Sequence, residues 1–146
     1  MIPGPHGEFA GVITATLDPR YFEPLLDSVR YAPDTLASMQ HDDGIVFVIA
    51  PKEQQAIVGK QLDQPGSLFR RHRESGQAVT VFSGTVRATG EERMIAQRDV
   101  QPAELKMDKP LGVAVSRLQH DIYARWRNDF QQKAVWFSLT ALVLAM

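Results

Sequence analysis

Two arginines carry the clearest chemical signal in the sequence. Arg93 and Arg98 lie five residues apart in a stretch, residues 92–100, whose composition predicts a β-strand. Because side chains alternate along a strand, the two should face opposite sides of the sheet, and at most one can point into a pocket on its concave face. A guanidinium there could bind a carboxylate through two parallel hydrogen bonds. A surface arginine paired with Glu or Asp is the alternative, and the spacing leaves both open.

Three apolar side chains on neighbouring predicted strands could line the same pocket. They are Met39, Phe47 and Phe82, and ordinary core packing would also explain them. Together with the two arginines they are the candidate ligand-binding residues.

Motifs for catalysis and metal binding are absent from the sequence. It contains no zinc-protease, nucleophile-elbow, dinucleotide-binding or EF-hand motif. Cysteine is also absent, which excludes disulfides, Cys-ligated metals and thiol catalysis. His41, Asp42 and Asp43 have side chains that could bind a metal, but the Asp-Gly pair that ends at Gly44 predicts a hairpin turn instead. We therefore predict no catalytic residue, no metal site and no cofactor.

Three other polar groupings also have structural explanations. The Arg-Arg-His-Arg cluster at residues 70–73 could contact an anionic ligand, and a solvated helix face explains it more simply. Gly59-Lys60 lacks both the upstream Gly and the following Ser or Thr of a phosphate-binding loop. His120 and Asp121 are neighbours on a predicted helix, so they point in different directions and form no catalytic pair.

Composition predicts one domain of ordinary size. The chain has 146 residues, of which 44% are hydrophobic and 23% charged. Lys and Arg number 16 and Asp and Glu 17, which gives a net charge of −1. A balance this even gives no electrostatic reason to expect binding to nucleic acid.

The order of the predicted elements indicates an α+β domain. Strands are predicted at residues 8–17, 35–41, 45–50, 78–87, 92–100 and 111–115, and helices at residues 19–29, 67–74 and 118–133. Hairpin-linked strands require an antiparallel sheet with helices packed against it. A hairpin, a helical crossing and a three-stranded meander is the order of a PAS-like sheet, here with flanking helices and a long C-terminal helix.

Local signals define the ends of the predicted helices. Asp18-Pro19 is an N-cap followed by proline at the first helical position, and Gly76 ends the second helix. Pro24 marks either a kink or a short first turn. Apolar residues at spacings of three and four predict one buried face on the first helix, made by Tyr21, Phe22, Leu25, Leu26 and Val29.

The C-terminal residues predict the start of a membrane helix. Residues 134–146 carry no charge, and at about 1.5 Å per residue they would span roughly 20 Å, less than the roughly 30 Å of a bilayer core. Trp126 and Arg127 lie just before this run, where such residues suit a membrane interface. A buried C-terminal helix is the alternative. The N-terminus has no signal-peptide features, so we expect the chain to be a piece of a longer protein.

Several motifs together resemble the double Cache (dCache) sensor domains of bacterial receptors. Residues 7–26, GEFAGVITATLDPRYFEPLL, resemble the joint between the two sensor subdomains of that family. The Asp-Gly hairpin at residues 43–46, the strand GEERMIAQR at 90–98 and the strand PLGVAV at 110–115 follow in the family's order. Glu91 departs from the family pattern. Each motif alone is weak, and the ordered set is fairly specific and covers nearly the whole chain.

The resemblance implies a domain organisation. Residues 1–17 would hold the last strand of a membrane-distal subdomain, and residues 18–117 the membrane-proximal PAS-like Cache subdomain. Residues 118–133 would form a signalling helix, and residues 134–146 the start of a truncated transmembrane helix. Trp126, Arg127 and Phe130 on the signalling helix would transmit the signal.

The resemblance also implies a function. The chain would be the non-catalytic, periplasmic sensor portion of an inner-membrane receptor, homodimeric and linked to a diguanylate cyclase or a histidine kinase. Its small-molecule ligand would be an amino acid or another carboxylate, although in this family the ligand usually occupies the distal subdomain. A stand-alone small-molecule-binding PAS-like module is the alternative function, and a small enzyme is a third.

Overall fold

A five-stranded antiparallel sheet forms the centre of the computed structural model, which describes residues 2–3, 5–6, 8–12, 14–104 and 107–144. The strands are β1 Ile2–Pro3, β2 Phe9–Gly11, β3 Leu36–His41, β4 Val46–Ala50, β5 Val79–Val86, β6 Glu91–Val100 and β7 Leu111–Leu118. The helices are α1 Glu23–Ser28, α2 Leu68–Ser75, α3 Gln119–Ile122 and α4 Ala124–Leu144, with 3₁₀ turns at Pro19–Phe22 and Lys52–Ile57. The predicted α+β class is confirmed.

Strand β7 joins two parts of the sheet. The strand order is β4-β3-β7-β6-β5, and every neighbouring pair is antiparallel. The β3–β4 hairpin therefore lies on one side of β7, and the β5–β6 hairpin lies on the other. This is the predicted order of a hairpin, a helical crossing and a meander.

The predicted Asp-Asp-Gly turn links β3 to β4. The Gly44 N–H donates to the His41 carbonyl at 2.8 Å, and Asp43 Oδ1 accepts the Ile45 N–H at 3.0 Å. Gly44 has φ +84°, a value that residues with a Cβ rarely adopt. Beyond the turn, Phe47 is an extra residue in β4, because Met39 pairs with Val48 and the next residue of β3 pairs with Val46.

The predicted helix caps are also present. The Asp18 carboxylate accepts the Arg20 N–H at 3.0 Å, and Pro24 falls in the first turn of α1 after a 3₁₀ turn. Ser67 Oγ accepts the Arg70 N–H at 3.1 Å at the start of α2, and Gly76 ends it in the left-handed conformation. These features depend on a few adjacent residues, which is why the sequence predicts them well.

The two faces of the sheet have different covers. On the face that we call the α1 face, Ala37, Val48 and Ala50 pack against Leu26 of α1. The opposite face, which we call the pocket face, is covered by α2, the second 3₁₀ turn and the loop between them, and Val46, Ile49 and Ile57 form a second apolar cluster there.

Two expectations about the N-terminal third of the chain are wrong. Of the predicted strand at residues 8–17, the described residues form a strand at Phe9–Gly11, which pairs with the two residues of β1, and residue 13 lies outside the described residues. The predicted apolar face of the first helix is only partly buried. Phe22 and Leu26 pack against the sheet, and the others are exposed: Tyr21, Leu25 and Val29.

The boundary between β7 and the C-terminal helix also differs from the prediction. Strand β7 continues to Leu118 instead of ending at residue 115, since Leu118 still pairs with Arg93 of β6. The helix predicted from residue 118 begins as the single turn α3, is interrupted at Tyr123 and restarts as α4. From Ala124 to Leu144 it then runs without a break.

Within the part of the chain that the structure describes, no helix combines the length and the apolar character needed to cross a membrane.

Substitution of Gly44 tests the hairpin. A Cβ on Gly44 would lie 2.9 Å from the backbone nitrogen of Asp63, and the residue has positive φ. We expect Gly44→Ala to lower the free energy of unfolding by at least about 2 kcal/mol, measured by urea denaturation. Gly76→Ala is the matched control, because φ is +64° there and a Cβ would meet nothing within 4 Å. It should cost only about 1 kcal/mol, and equal losses in the two variants would contradict the clash.

Candidate functional site

A pocket of about 270 Å³ lies between the pocket face of the sheet and its cover. Its floor is formed by residues of four strands: Leu36, Ser38 and Gln40 of β3, Val46 and Ile49 of β4, Ile95 and Gln97 of β6, and Ala114 and Ser116 of β7. Its cover comes from Ile57, the loop at residues 60–64, the start of α2 and the β5–β6 turn.

Strand register brings the floor residues together. Ser38 pairs with Ala114, which pairs with Gln97, so the three stand in one row across the sheet. Leu36, Ser116 and Ile95 form the next row. Because side chains alternate along each strand, paired residues point to the same face.

The side chain of Gln40 is the most unusual feature of the pocket. It is 0% exposed, and neither its Oε1 nor its Nε2 has a hydrogen-bond partner among the described residues. Gly112, its partner on β7, makes room for it, since a Cβ there would lie 2.8 Å from Nε2. Buried polar groups normally have partners, so an unpaired amide at a pocket wall needs an explanation.

A second amide lines the same pocket with an unused atom. Gln97 is 3% exposed, and its Oε1 finds no partner in the described parts of the chain. Thr35 Oγ1 is also buried and unpaired there, but Thr35 does not line the pocket. The residues that line the pocket thus carry three buried polar atoms without a partner in the described residues, two on Gln40 and one on Gln97.

Charge is confined to the exposed part of the pocket. Of the described residues that line it, two carry ionisable side chains, Lys60 and Arg87, and both are exposed. The buried part of the lining is apolar or carries neutral amides and hydroxyls. The interior therefore has little to balance a buried charge.

Arg93 lies on the pocket face, but it is committed to protein partners. It is 2% exposed, and it donates from Nε to Ser116 Oγ at 3.0 Å and from Nη1 to Glu91 Oε2 at 2.7 Å. Its Nη2 donates to the carbonyls of Asp34 and Ser116. The arginine that the sequence offers for a carboxylate is thus paired with Glu91, as in the alternative interpretation, although it is buried and not on the surface.

The other four candidates lie elsewhere. Arg98 is exposed on the opposite face, as the five-residue spacing predicts. Met39 and Phe47 pack against the apolar cluster under α1, and Phe47 also stacks on His41 with ring centroids 4.6 Å apart. Phe82 lies under the Arg71 guanidinium, 4.5 Å from its ring centre. None of the five is part of the pocket lining, and a role for them in ligand binding stays a prediction.

Sequence reasoning missed Gln40 and Gln97. A signal was present, because Gln40 follows Leu36 and Ser38 on one face of a predicted strand, and Gln97 lies between two arginines on another. Alternation alone does not tell which face of a strand is buried. Its burial depends on α2 and the 3₁₀ turn, which are distant in sequence.

The basic cluster at residues 70–73 makes structural contacts within the domain. His72 is buried, with Nδ1 2.7 Å from Thr80 Oγ1 and Nε2 3.1 Å from Asp99 Oδ1. Arg70 and Arg73 both contact the Asp63 carboxylate, at 2.8 and 3.2 Å. The remaining member, Arg71, packs on Phe82. This cluster is therefore used to attach α2 to the sheet and to the preceding loop.

A charged junction connects the pocket floor to the C-terminal helices. Ser116 lines the pocket and accepts from Arg93, which in turn donates to the Asp34 carbonyl. The Asp34 carboxylate accepts hydrogen bonds from Nε and Nη2 of Arg117 at 2.8 to 3.1 Å and from the Leu118 N–H at 3.0 Å. Burial alone would raise the pKa of Asp34, but these hydrogen bonds and the Arg117 charge outweigh it and lower the pKa.

The predicted signalling residues lie on the first turns of α4. Trp126 and Phe130 stack with ring centroids 5.6 Å apart, and both are exposed. Arg127 donates from Nη2 to the His120 carbonyl of α3 at 2.8 Å. Helix α4 thus contacts α3 at its start and exposes aromatic side chains beyond it.

Comparison with known proteins supports the fold. No family model and no curated protein matches the chain. The chain is similar to the extracellular domain of rpHK1S-Z16, described as a histidine kinase, with a TM-score of 0.61, 20% identity and coverage of 80% of this chain and 44% of that one. It is also similar to the periplasmic sensory domain of the Campylobacter jejuni chemoreceptor Tlp1, with a TM-score of 0.51, 16% identity and coverage of 68% and 33%. The chain spans less than half of either structure, and its fold is the PAS-like α+β fold expected from the sequence.

Replacement of Gln40 tests the unpaired amide. Methionine has a similar length and shape but no hydrogen-bonding group, so Gln40→Met removes two buried polar atoms that lack partners. We expect the free energy of unfolding of the unliganded protein to rise by about 1 kcal/mol. Urea denaturation would measure this, with Gln77→Met at an exposed position as the control. A clear loss of stability would mean that the Gln40 amide is satisfied in solution.

The acid dependence of stability tests the charged junction. The folded-state pKa of Asp34 lies below its ordinary value of 3.8. The ionised carboxylate therefore contributes fully to the free energy of unfolding above pH 3.8, and this contribution is lost as the pH falls through the folded-state pKa. We expect Asp34→Asn to lower stability at pH 7, and the difference from wild type to shrink as the pH falls below 3.8. Asp129→Asn, on the exposed side of α4, is the control. A difference independent of pH would show that the carboxylate charge is not what holds the junction.

Proposed function

We propose that this chain is an extracytoplasmic sensory domain and that the pocket is its ligand site. The observation that carries the proposal is the pair of buried amides, Gln40 and Gln97, whose three polar atoms have no partner in the described residues. A bound ligand would supply those partners, and their absence costs free energy in the empty protein. The fold shared with an extracellular and a periplasmic domain favours a sensor over an enzyme.

The charged junction provides a physical route from the pocket to the C-terminal helices. A ligand that contacts Ser116 changes the environment of the Arg93 hydrogen bond, and Arg93 shares Asp34 with Arg117 and Leu118. Helix α3 begins at the next residue. We propose that binding shifts the population between two packings of α3 and α4, by as much as the ligand's affinities for the two differ.

The parent protein is proposed to be a receptor of the inner membrane. In it, residues 18–117 would form the membrane-proximal subdomain of a double Cache sensor, with the remainder of the sensor in other parts of the protein. Residues 118–133 would carry the signal into a membrane segment that starts at residue 134, and the output would be a diguanylate cyclase or a histidine kinase. The ordered sequence motifs support this arrangement, as does coverage of less than half of both similar structures. A homodimer through α4 would cover Trp126 and Phe130.

Tryptophan fluorescence tests the coupling directly. Both tryptophans of the chain, Trp126 and Trp136, lie in α4, so their emission reports on that helix and not on the pocket. A thermal-shift screen with the twenty amino acids, short carboxylates and the corresponding amides should yield a compound that raises Tm. We expect the same compound to change tryptophan emission, and Gln40→Met to reduce both effects at the same ligand concentration.

Two serine variants separate binding from coupling. Ser116→Ala removes the hydroxyl that accepts from Arg93, so it should keep most of the thermal shift and reduce the change in emission. Ser83→Ala, at an exposed position of β5, should change neither. A compound that raises Tm in wild type with no change in emission would support the stand-alone binding module instead of a sensor.

A further inference from the structure

We infer that the pocket binds an uncharged molecule with a primary carboxamide head and a compact apolar body. The inference rests on the proposal that this pocket is the ligand site, and it names the chemistry of the ligand. It differs from the amino acid or carboxylate that the family resemblance implies.

The hydrogen-bond inventory of the pocket selects the head group. The unpaired atoms in the described structure are two acceptors, Gln40 Oε1 and Gln97 Oε1, and one donor group, Gln40 Nε2. A primary carboxamide carries two N–H donors and one carbonyl acceptor in one plane. It can pair with the Gln40 amide through two parallel hydrogen bonds, and its second N–H remains for Gln97. A flip of the Gln40 amide exchanges its two atoms, and a ligand amide that turns with it keeps both hydrogen bonds to Gln40.

The charges around the pocket argue against a carboxylate or ammonium head. A carboxylate has no donor for Gln40 Oε1 or Gln97 Oε1, so it would face two carbonyl oxygens. An ammonium would satisfy those oxygens but leave Gln40 Nε2 unpaired. The ionisable lining residues Lys60 and Arg87 are exposed to water, whereas the two amides are buried. A buried ion at the amides would therefore lose its hydration without a buried counter-charge.

The nearest buried guanidinium does not change this conclusion. All three nitrogens of Arg93 already donate to acceptors on Glu91, Ser116 and Asp34. Since Arg93 is also 2% exposed, it offers little surface to a ligand carboxylate.

The walls of the pocket select the rest of the molecule. Buried or half-buried aliphatic side chains surround the amides: Leu36, Val46, Ile49, Ile57, Leu68 and Ile95. At about 270 Å³, the space suits a body the size of one small ring. Binding would then combine apolar burial with a head group whose specificity comes from the amides.

Three probes with one ring and different heads test this inference. Benzamide, benzoate and benzylamine share a phenyl body and differ in the charge of the head at pH 7. By isothermal titration calorimetry on the full chain, we expect benzamide to bind at least about tenfold more tightly than either charged analogue. Gln40→Met and Gln97→Met should each weaken benzamide binding by a similar factor, while Gln77→Met leaves it unchanged.

The possible outcomes separate the ligand class from the sensor function. The carboxamide assignment would be overturned if benzoate or benzylamine bound as tightly as benzamide. It would also be overturned if benzamide did not bind at millimolar concentration, and water alone would then occupy the pocket. If benzoate binds and changes tryptophan emission, the ligand class is wrong and the sensor proposal stands. If benzamide binds as expected and emission does not change, the ligand class is right and the sensor proposal fails. The methionine variants are expected to be at least as stable as wild type, so weak binding would not reflect unfolding.

Discussion

The buried guanidinium of Arg93 is the constraint on which much of this structure depends. A charge that is 2% exposed must be fully paired, because an unpaired buried ion costs several kcal/mol. Its acceptors come from β6, from the end of β7 and from the loop before β3. Satisfying them fixes the register of β6 against β7 and holds Asp34 where it can accept from Arg117 and Leu118. Arg93 thus links the end of the sheet to Asp34, which contacts the last two residues of β7.

The amides of Gln40 and Gln97, unlike the Arg93 guanidinium, have buried polar atoms without partners in the described residues. A buried amide without a partner costs about 1 to 3 kcal/mol, and a domain of this kind has only about 5 to 15 kcal/mol of stability. Gln40 could have been an aliphatic residue like its neighbour Leu36, and Gly112 provides space that the long side chain needs. The unpaired amides therefore lower the stability of the empty protein, which is consistent with the proposed ligand site. Arg93, in contrast, has a hydrogen-bond partner at each of its three nitrogens.

Prediction from sequence succeeded where the determining residues are adjacent. The caps at Asp18 and Ser67, the Asp-Asp-Gly turn and the alternation along β3 and β6 all follow from local rules. The end of β7 depends on Asp34, more than eighty residues away, so helical periodicity from residue 118 indicated too early a start. The burial of Gln40 depends on α2 and the 3₁₀ turn at Lys52–Ile57. No local sequence signal predicts which part of the sheet these elements cover. The bulge at Phe47 could not be predicted from the sequence either. It places this predicted pocket residue against the α1 cluster and away from the pocket.

The short distance along β7 from pocket to helix explains how a small ligand could have a distant effect. Ser116 lines the pocket, Arg117 points to the other face and pairs with Asp34, and Leu118 gives its N–H to the same carboxylate. A strand is stiff, so a displacement at Ser116 reaches the junction within two residues. The Asp34 side chain is buried, so its contacts with Arg117 are shielded from solvent more than those of a surface pair. A ligand that prefers one arrangement about 100-fold would shift their balance by roughly 2.7 kcal/mol, enough to reverse an equilibrium that is only moderately biased.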